Sequence, residues 1–150
     1  MSPEDMSAVM DRCTNGVLAC DGDNGYPYAV PISYVYFNDK IYFHSAKSGH
    51  KIDAIKNKPR VSFAVIDEDK ISSEEYTSYF RSVIAFGRAR IVEGDEWFES
   101  FKALVEKYSG DQPEESKHKE ITGCKQSYII AIDVEHMTGK EAIELVKAKK

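Results

Sequence analysis

The stretch from Tyr28 to Phe37 most limits what this chain can fold into. Its residues alternate between two faces, with tyrosines and branched aliphatic side chains on one of them, which is the pattern of a β-strand. Pro31 lies within the stretch and has no N–H to donate to a neighbouring strand. We therefore predict that this strand lies at the edge of a sheet or is broken at the proline. Either arrangement leaves backbone groups free for another partner.

The rest of the sequence predicts short strands joined mostly by turns, with three helices between them. Ser2 and Pro3 suit a helix start, Pro59 ends a second helix, and aromatic residues at helical spacing follow Asp95. Gly87 predicts a bulge or bend in a long strand. The predicted strands are 16–20, 28–37, 41–45, 61–66, 82–92 and 128–134, the helices are 3–12, 52–58 and one from 95, and the polar loops are 67–75 and 109–122.

This order of elements predicts a mainly β protein with peripheral helices, built as an antiparallel barrel or a strongly curled sheet. It is not the alternating strand and helix order of a doubly wound parallel sheet. The length of 150 residues predicts a single domain, residues 1–150. A sizeable ligand would then lie in that one core or between copies of the chain.

The composition excludes several classes of function. The chain has 20 Lys and Arg residues against 25 Asp and Glu residues, and its net charge of -5 disfavours nucleic acid and anionic membranes as partners. No apolar run is long enough to span a membrane, and the first residues do not form a secretion signal, so we expect a cytoplasmic protein. The three cysteines are widely spaced and the histidines lack clustered partners, which predicts reduced thiols and no metal site.

Residues 42–51 are the stretch that can carry chemistry. A predicted strand ends within it and a helix begins, with Ser48 as the predicted cap. The first turn of a helix exposes N–H groups and a partial positive charge, which suit an anion such as a phosphate. Lys47 and Lys51 add positive charge, and Gly49 lets a ligand approach the backbone closely. The residues alone leave two interpretations open, a phosphate site or an ordinary capped helix with solvated lysines.

Two further residues have both a structural and a functional interpretation. His44, near the end of the same strand, is either an ordinary strand-end histidine or a group that donates to a ligand or transfers a proton. Arg81, at the start of the next long strand, either reaches a phosphate or carboxylate or remains a solvated charge.

Several stretches, in this order along the chain, resemble the FMN-binding split barrels related to pyridoxamine 5'-phosphate oxidase. The similarity lies in 27–34, in 42–46 followed by 49–51, in 79–89, and in 127–133 with 138–141. It extends over nearly the whole chain and is nearest to the nitroimidazole-resistance (Nim) proteins.

The resemblance implies a six-stranded antiparallel split β-barrel that binds FMN at the interface of a homodimer. It places the FMN phosphate near Ser45, Ala46 and Lys51, and it places the flavin ring beside the strand that contains Pro31. Arg81 and Ser82 would come from the same or the partner subunit, and His44 matches the site histidine of the Nim proteins. The full predicted set for the cofactor is Pro31, Ile32, Ser33, Phe43, His44, Ser45, Ala46, His50, Lys51, Arg81 and Ser82.

From the resemblance we expect an FMN-dependent oxidoreductase that passes electrons from a reduced donor to a small acceptor, such as a nitroaromatic compound or nitroimidazole. His44 would be the catalytic residue. A flavin carrier or ligand-sensing module without turnover is the alternative, because the sequence shows no general base with an orienting partner. Haem binding is a more distant alternative. The chain ends without the arginine-rich, proline-containing segment with which pyridoxamine phosphate oxidases bind substrate, so we do not expect oxidation of vitamin B6.

Overall fold

The computed structural model describes residues 1–149, and antiparallel strands form most of it. Within those residues seven strands make one sheet, in the order β2-β1-β5-β6-β7-β4-β3. The strands are β1 (Asn15–Asp21), β2 (Pro27–Ser33), β3 (Val35–Phe37), β4 (Lys40–Ser45), β5 (Arg60–Ser72), β6 (Thr77–Ile91) and β7 (Tyr128–Glu141). The helices are α1 (Pro3–Arg12), α2 (His50–Asn57), α3 (Asp95–Ser109), α4 (Glu114–Gly123) and α5 (Ile143–Ala148).

The two edges of this sheet are consecutive in the chain. β2 is the edge beside β1, β3 is the edge beside β4, and only Tyr34 separates them. Counted as one strand, they give the six strands predicted for a split barrel, although the sheet itself is not closed. Pro31 lies on edge strand β2 opposite Val17, so the prediction of an edge position is confirmed. The break falls at Tyr34 and not at the proline.

Alternation along the strands divides the apolar side chains into two layers. One layer lies inside the curled sheet and includes Ile41 and Phe43 of β4. The other lies between the sheet and α3 and includes Tyr42 of the same strand with Trp97 and Phe101 of the helix. Successive residues of β4 therefore contribute to opposite layers, as period-two side-chain directions require.

Hydrogen-bonded charges fix α3 to the outer face of the sheet. Arg90 of β6 donates to both carboxylate oxygens of Glu96, at 2.7 and 2.8 Å, and to Asp133 of β7, at 2.6 and 3.0 Å. The Tyr42 hydroxyl donates to Glu96 at 2.7 Å. The hydrogen bond from Arg90 is the main reason that the pKa of Glu96 falls to about 2.

Several sequence-based predictions of local structure are confirmed. The Ser2 hydroxyl accepts from the N–H of Asp5 at 3.1 Å and caps α1. The pairing of β6 with β7 shifts register between Phe86 and Gly87, as the glycine predicted. A Cβ at Gly87 would lie 2.2 Å from the Asp133 carbonyl oxygen, so the close approach of the two strands requires glycine there.

The predicted loop at 67–75 is wrong in its first half. β5 continues to Ser72 and pairs with β6 as far as Thr77, so the two strands project as a hairpin arm, which we define as residues 67–81. Charged and polar residues occupy this arm because both of its faces are largely solvated, which hid the strand pattern. The register shifts between Ile66 and Glu68, which leaves Asp67 as the extra residue of a bulge.

Three other predictions are also corrected. The predicted loop at 109–122 contains α4, which has one buried side chain, Lys117, paired with Glu106 at 2.9 Å and Glu114 at 3.0 Å. An apolar periodicity could not reveal a helix that is held by ion pairs. The last strand does not end at residue 134, because β7 continues through the predicted turn at 137–140 to pair with β6. The N-cap of α2 is Gly49 and not Ser48.

Within residues 1–149 no helix has the length and apolar character needed to cross a membrane. The same residues contain no group of three His, Cys, Asp or Glu side chains that could hold a metal ion.

Candidate functional site

The sheet opens where β3 ends. Val35 opposes Tyr42 in the β3–β4 ladder, and the pairing stops there. β4 continues to Ser45 on one side and the chain continues backwards into β2 on the other, but β2 and β4 form no ladder within residues 1–149. We call this gap the split, with residues 31–33 on one wall and residues 43–46 on the other.

The register of β3 and β4 shows which residues the split separates. If the pairing of Val35 with Tyr42 continued, Ser33 would oppose His44, Ile32 would oppose Ser45, and Pro31 would oppose Ala46. These six residues belong to the set predicted for the cofactor, and they lie on the two segments that diverge from the break at Tyr34. On its far side β4 pairs with β7, so the backbone groups of β4 that face the split lack a partner strand.

Tyr108 of α3 holds the break at which the split begins. The N–H of Tyr34 donates to the Tyr108 hydroxyl oxygen at 3.0 Å. That hydroxyl lies 2.7 Å from the Tyr34 carbonyl oxygen and 2.6 Å from the Thr14 carbonyl oxygen, and its one proton is donated to one of these two acceptors. One side chain thus bonds to the backbone of Tyr34 and Thr14, the two residues that lie just beyond the last pair of the β1–β2 ladder. The sequence indicated Tyr108 only as part of an apolar helix face, and nothing in it pointed to this contact.

The three side chains of the β4 wall have different surroundings. Phe43 is fully buried in the interior layer. Ser45 is also buried, and its hydroxyl donates to the Ala46 carbonyl oxygen at 3.0 Å. His44 is exposed and its ring meets the Phe101 ring edge-on at 5.8 Å. Within residues 1–149 the His44 imidazole has no hydrogen-bond partner, so both ring nitrogens can meet a ligand.

The start of α2 provides groups that suit an anion. Gly49, its N-cap, has φ of 134°, offers no side-chain cap, and has open space where a Cβ would lie. The first N–H groups of the helix are therefore not capped by a side chain. Lys51 is half-buried in the first turn, and its ammonium group pairs with no carboxylate of residues 1–149.

The structure gives His50 a different neighbourhood from the one predicted. Its Nδ1 lies 3.0 Å from an Asp23 carboxylate oxygen, and its ring centroid is 6.1 Å from that of Tyr28. These residues line a groove of about 440 Å³ between α2 and the β1–β2 turn, which also contains Asp21 and Asp53. The acidic lining does not suit a phosphate, so the predicted role of His50 stays a prediction.

Arg81 and Ser82 lie far from the split within one chain. Arg81 opposes Glu141 on β7, whereas Ser45 opposes Tyr128, thirteen residues earlier on the same strand. That interval is about 43 Å of extended strand.

The Arg81 guanidinium is also engaged at the base of the hairpin arm. It donates to Glu141 at 2.7 Å and to Asp67 at 2.9 Å, and only 17% of its side chain is exposed. Arg12 donates to the same Asp67 carboxylate at 2.6 and 2.8 Å. These hydrogen bonds, from Arg12 first and Arg81 second, hold the pKa of Asp67 well below its ordinary range.

The sequence profile described as pyridoxamine 5'-phosphate oxidase matches residues 2–141. The chain belongs to this family. A curated relative, an uncharacterised protein of Rhizobium meliloti, is 27% identical over 149 residues, which cover 95% of this chain and 93% of that protein.

Solved structures of this family's fold resemble the chain over most of its length. A conserved hypothetical protein of Mycobacterium tuberculosis has a TM-score of 0.81 at 22% identity, with 97% of this chain and 88% of that one covered. A candidate 5-nitroimidazole antibiotic resistance protein of Bacteroides thetaiotaomicron has a TM-score of 0.76 at 20% identity, with 92% and 82% covered. An FAD and haem binding protein of Mycobacterium smegmatis has a TM-score of 0.73 at 20% identity, with 99% and 78% covered. At these identities the likeness shows the fold.

Proposed function

We propose that this chain is a flavoprotein that binds FMN in the split, with the phosphate at the start of α2. The observation that carries the proposal is the interrupted β3–β4 ladder, which leaves β2 and the end of β4 with unpaired edges, and β4 leads to a helix start that no side chain caps. Membership of the pyridoxamine 5'-phosphate oxidase family supports it, as does the fold shared with a protein named for FAD binding.

The phosphate would meet a favourable set of donors. The N–H groups of the first turn of α2 and the ammonium group of Lys51 both carry positive charge. Asp53 lies in the same turn, but Lys51 forms no ion pair within residues 1–149. Ser45 can contribute its hydroxyl if that group turns from the Ala46 carbonyl oxygen. The chain thus supplies charge and backbone donors together, which is the chemistry a phosphate monoester requires.

The ring of the flavin would replace the missing strand partner. Its heterocyclic edge carries carbonyl oxygens, ring nitrogens and an N–H, which can pair with the backbone groups of residues 43–46 that face the split. The wall formed by residues 31–33 would limit the access of water to the ring. When bound, FMN supplies the redox chemistry, and the chain supplies binding, orientation and electrostatics.

A second copy of the chain would complete the site. Val17, Ala64 and Ile84 lie in one row across the outer face of β1, β5 and β6, and Ile66 beside them is 68% exposed. An apolar sheet face of this kind is typical of a contact with another protein. We propose a homodimer through this face, which would also carry the distant segment of Arg81 and Ser82 of one copy towards the split of the other, with the Arg81 guanidinium still paired to Asp67 and Glu141.

We propose that the bound flavin passes electrons from a reduced donor to a small acceptor, with nitroaromatic compounds as the acceptor class. His44 would contact the acceptor or give it a proton, because it is exposed on the β4 wall and its ring nitrogens are unbonded. The same lack of an orienting partner favours a second candidate, a flavin carrier without turnover, since catalytic bases are usually held by a third group.

Spectra and turnover test these proposals separately. Purified protein mixed with FMN and desalted should keep a flavin absorption spectrum. A colourless protein would contradict flavin binding. A Soret band after the protein is mixed with haem would indicate that haem is the ligand. Oxidation of NADH or NADPH should exceed that by free FMN when a nitroimidazole is present. His44→Ala should lose this activity and keep FMN binding, whereas a carrier has no activity to lose.

A further inference from the structure

A groove of about 410 Å³ lies outside the split, where α3 begins and β7 begins. Its volume is within the range of small-molecule sites, which are mostly apolar with a few placed polar groups. Its walls are the aromatic rings of Trp97, Phe98 and Tyr128, and the charged groups at its rim are Lys47, Lys125 and Glu93. We call it the aromatic groove.

The aromatic walls form a corner that suits a flat ligand. The rings of Trp97 and Phe98 meet at 81° with centroids 5.1 Å apart. Trp97 Nε1 already donates to the Ser127 carbonyl oxygen at 3.1 Å, and Trp97 is only 8% exposed, so it contributes a narrow apolar strip and Phe98 provides most of the open aromatic surface. Phe98 is 47% exposed, which is unusual for a phenylalanine and leaves one wall of the corner uncovered.

The charged residues at the rim favour a ligand of negative charge. Lys47 Nζ lies 5.6 Å from the centroid of the Tyr128 ring, and its one polar contact is Gln126 Oε1 at 3.5 Å. Neither Lys47 nor Lys125 forms an ion pair within residues 1–149, whereas the groove has a single carboxylate, Glu93. The groove therefore has an excess of positive charge on a chain whose net charge is -5.

We propose that the aromatic groove binds a planar aromatic carboxylate, with its ring in the Trp97–Phe98 corner and its carboxylate at Lys47 and Lys125. Flat apolar walls explain the ring, and two unpaired ammonium groups explain the anion. None of the residues named for this site lies on a wall of the split, but Lys47 follows Ala46 and Tyr128 pairs with Ser45, so the two sites are neighbours and competition with FMN is part of the test.

The chain offers a direct reporter for this site, because Trp97 is its only tryptophan. Flavin-free protein titrated with 4-methylbenzoate should show a saturable change in tryptophan emission, confirmed by calorimetry. The neutral 4-methylbenzamide should bind about tenfold more weakly, since a charge-assisted hydrogen bond contributes about 1.4 kcal/mol or more. Equal affinity for the acid and the amide overturns the proposal.

Matched variants locate the binding. Lys47→Gln should weaken 4-methylbenzoate binding about fivefold to tenfold, and Phe98→Ala should weaken both probes, because it removes a wall whose exposure makes the change tolerable for the fold. Lys56→Gln, an exposed lysine on α2, is the control and should change nothing. A Lys47→Gln protein that folds normally and binds 4-methylbenzoate as tightly as the parent contradicts the assignment.

Two further outcomes assign the groove to another occupant and so overturn the proposal. Displacement of 4-methylbenzoate by FMN would make the groove part of the flavin site. Binding that appears only on dilution, as a dimer dissociates, would mean that a second copy of the chain covers the groove. If the protein binds 4-methylbenzoate but not flavin, the proposed function is contradicted and the aromatic groove is not.

Discussion

The split and the base of the hairpin arm interrupt the same sheet in opposite ways. At the arm, a bulge turns Asp67 towards Arg12 and Arg81, so the irregular backbone ends in paired charges. At the split, the ladder stops and the neighbouring cation, Lys51, pairs with no carboxylate of residues 1–149. Cationic side chains thus stabilise the fold at the arm, whereas at the split one remains unpaired and can bind a ligand.

This difference shows why a residue type alone does not indicate a ligand contact. Arg81 and Lys51 were both predicted as cofactor residues, but the guanidinium already has two carboxylate partners. A cation that is paired inside a protein contributes chiefly to stability, whereas an unpaired one beside open donors can contribute to binding. Substitutions at the two positions should therefore change different measured quantities.

The largest expected effect is on stability, at the arm. Arg81→Met should lower the free energy of unfolding by about 2–3 kcal/mol, because Asp67 and Glu141 are almost fully buried and each loses one of its two cationic partners, Asp67 keeping Arg12 and Glu141 keeping Lys149. Arg88→Met is the control, since its pair with Glu135 is largely exposed, and it should cost less than about 1 kcal/mol. Urea denaturation measures both.

The same variant sharpens the assignment of Arg81. FMN affinity per folded Arg81→Met molecule should stay within about twofold of the parent if the guanidinium acts only at the arm. Lost affinity at unchanged stability would contradict this and indicate that Arg81 reaches the cofactor of a second copy.

The second largest expected effect is a loss of stability at the arm as the pH falls. The pKa of Asp67 is lower in the folded chain than in the unfolded one, so its carboxylate stabilises the fold above the unfolded pKa and ceases to do so as pH falls through the folded one. We expect the stability gap between the parent and Asp67→Asn to shrink by about 2 kcal/mol between about pH 5 and pH 2. Chemical denaturation across that range measures the gap, and a constant gap would be the contrary result.

At the split, the expected effect is on affinity. Lys51→Gln should weaken FMN binding about tenfold or more, because one charge-assisted contact to the phosphate is lost. Its free energy of unfolding should hardly change, since no carboxylate of residues 1–149 is left unpaired. Lys56→Gln on the same helix should leave both quantities as they are. Equal FMN binding by the Lys51 and Lys56 variants would contradict the proposal that the phosphate binds at the start of α2.

The smallest expected effect concerns the break itself. Tyr108→Phe removes the hydroxyl that bonds to both backbone groups of Tyr34, which should cost about 1 kcal/mol of stability and about threefold in FMN affinity. Tyr42→Phe is the control, because it removes the hydrogen bond from Tyr42 to Glu96 of α3. Tyr42 lies away from the break, so this variant should lose stability but keep its FMN affinity. A parallel loss of affinity in both variants would show that Tyr108 acts through general stability.

Local chemistry predicted much of the fold. Ser2 as a cap, Pro31 on an edge and Gly87 at a register shift each depend on one residue and its neighbours, and each is confirmed. The hairpin arm and α4 were missed because solvated strands and a helix built around the ion pairs of Lys117 have no apolar periodicity. Hydrophobic spacing reports burial, so elements that bury little are invisible to it.

The residues proposed for the walls of the candidate site come from the resemblance, and they stay a prediction, whereas the features that shape the split had no signal in the sequence. Residues 31–33 and 43–46 were named from the resemblance, and they lie on the two strands that diverge where the β3–β4 ladder ends. The contact of Tyr108 with Tyr34 joins residues 74 positions apart, and the pairing of Arg81 depends on a bulge. Such long-range contacts have no local sequence signal.

A comparison of FMN with riboflavin tests the proposed site most directly, because the two differ only in the phosphate. Quenching of flavin fluorescence by the purified protein should give an FMN dissociation constant at least about tenfold below that of riboflavin, corresponding to about 1.4 kcal/mol from the start of α2 and Lys51. The Lys51→Gln variant should lose most of that preference. Equal affinity for FMN and riboflavin, or no saturable binding of either, would contradict a flavin held in the split by its phosphate.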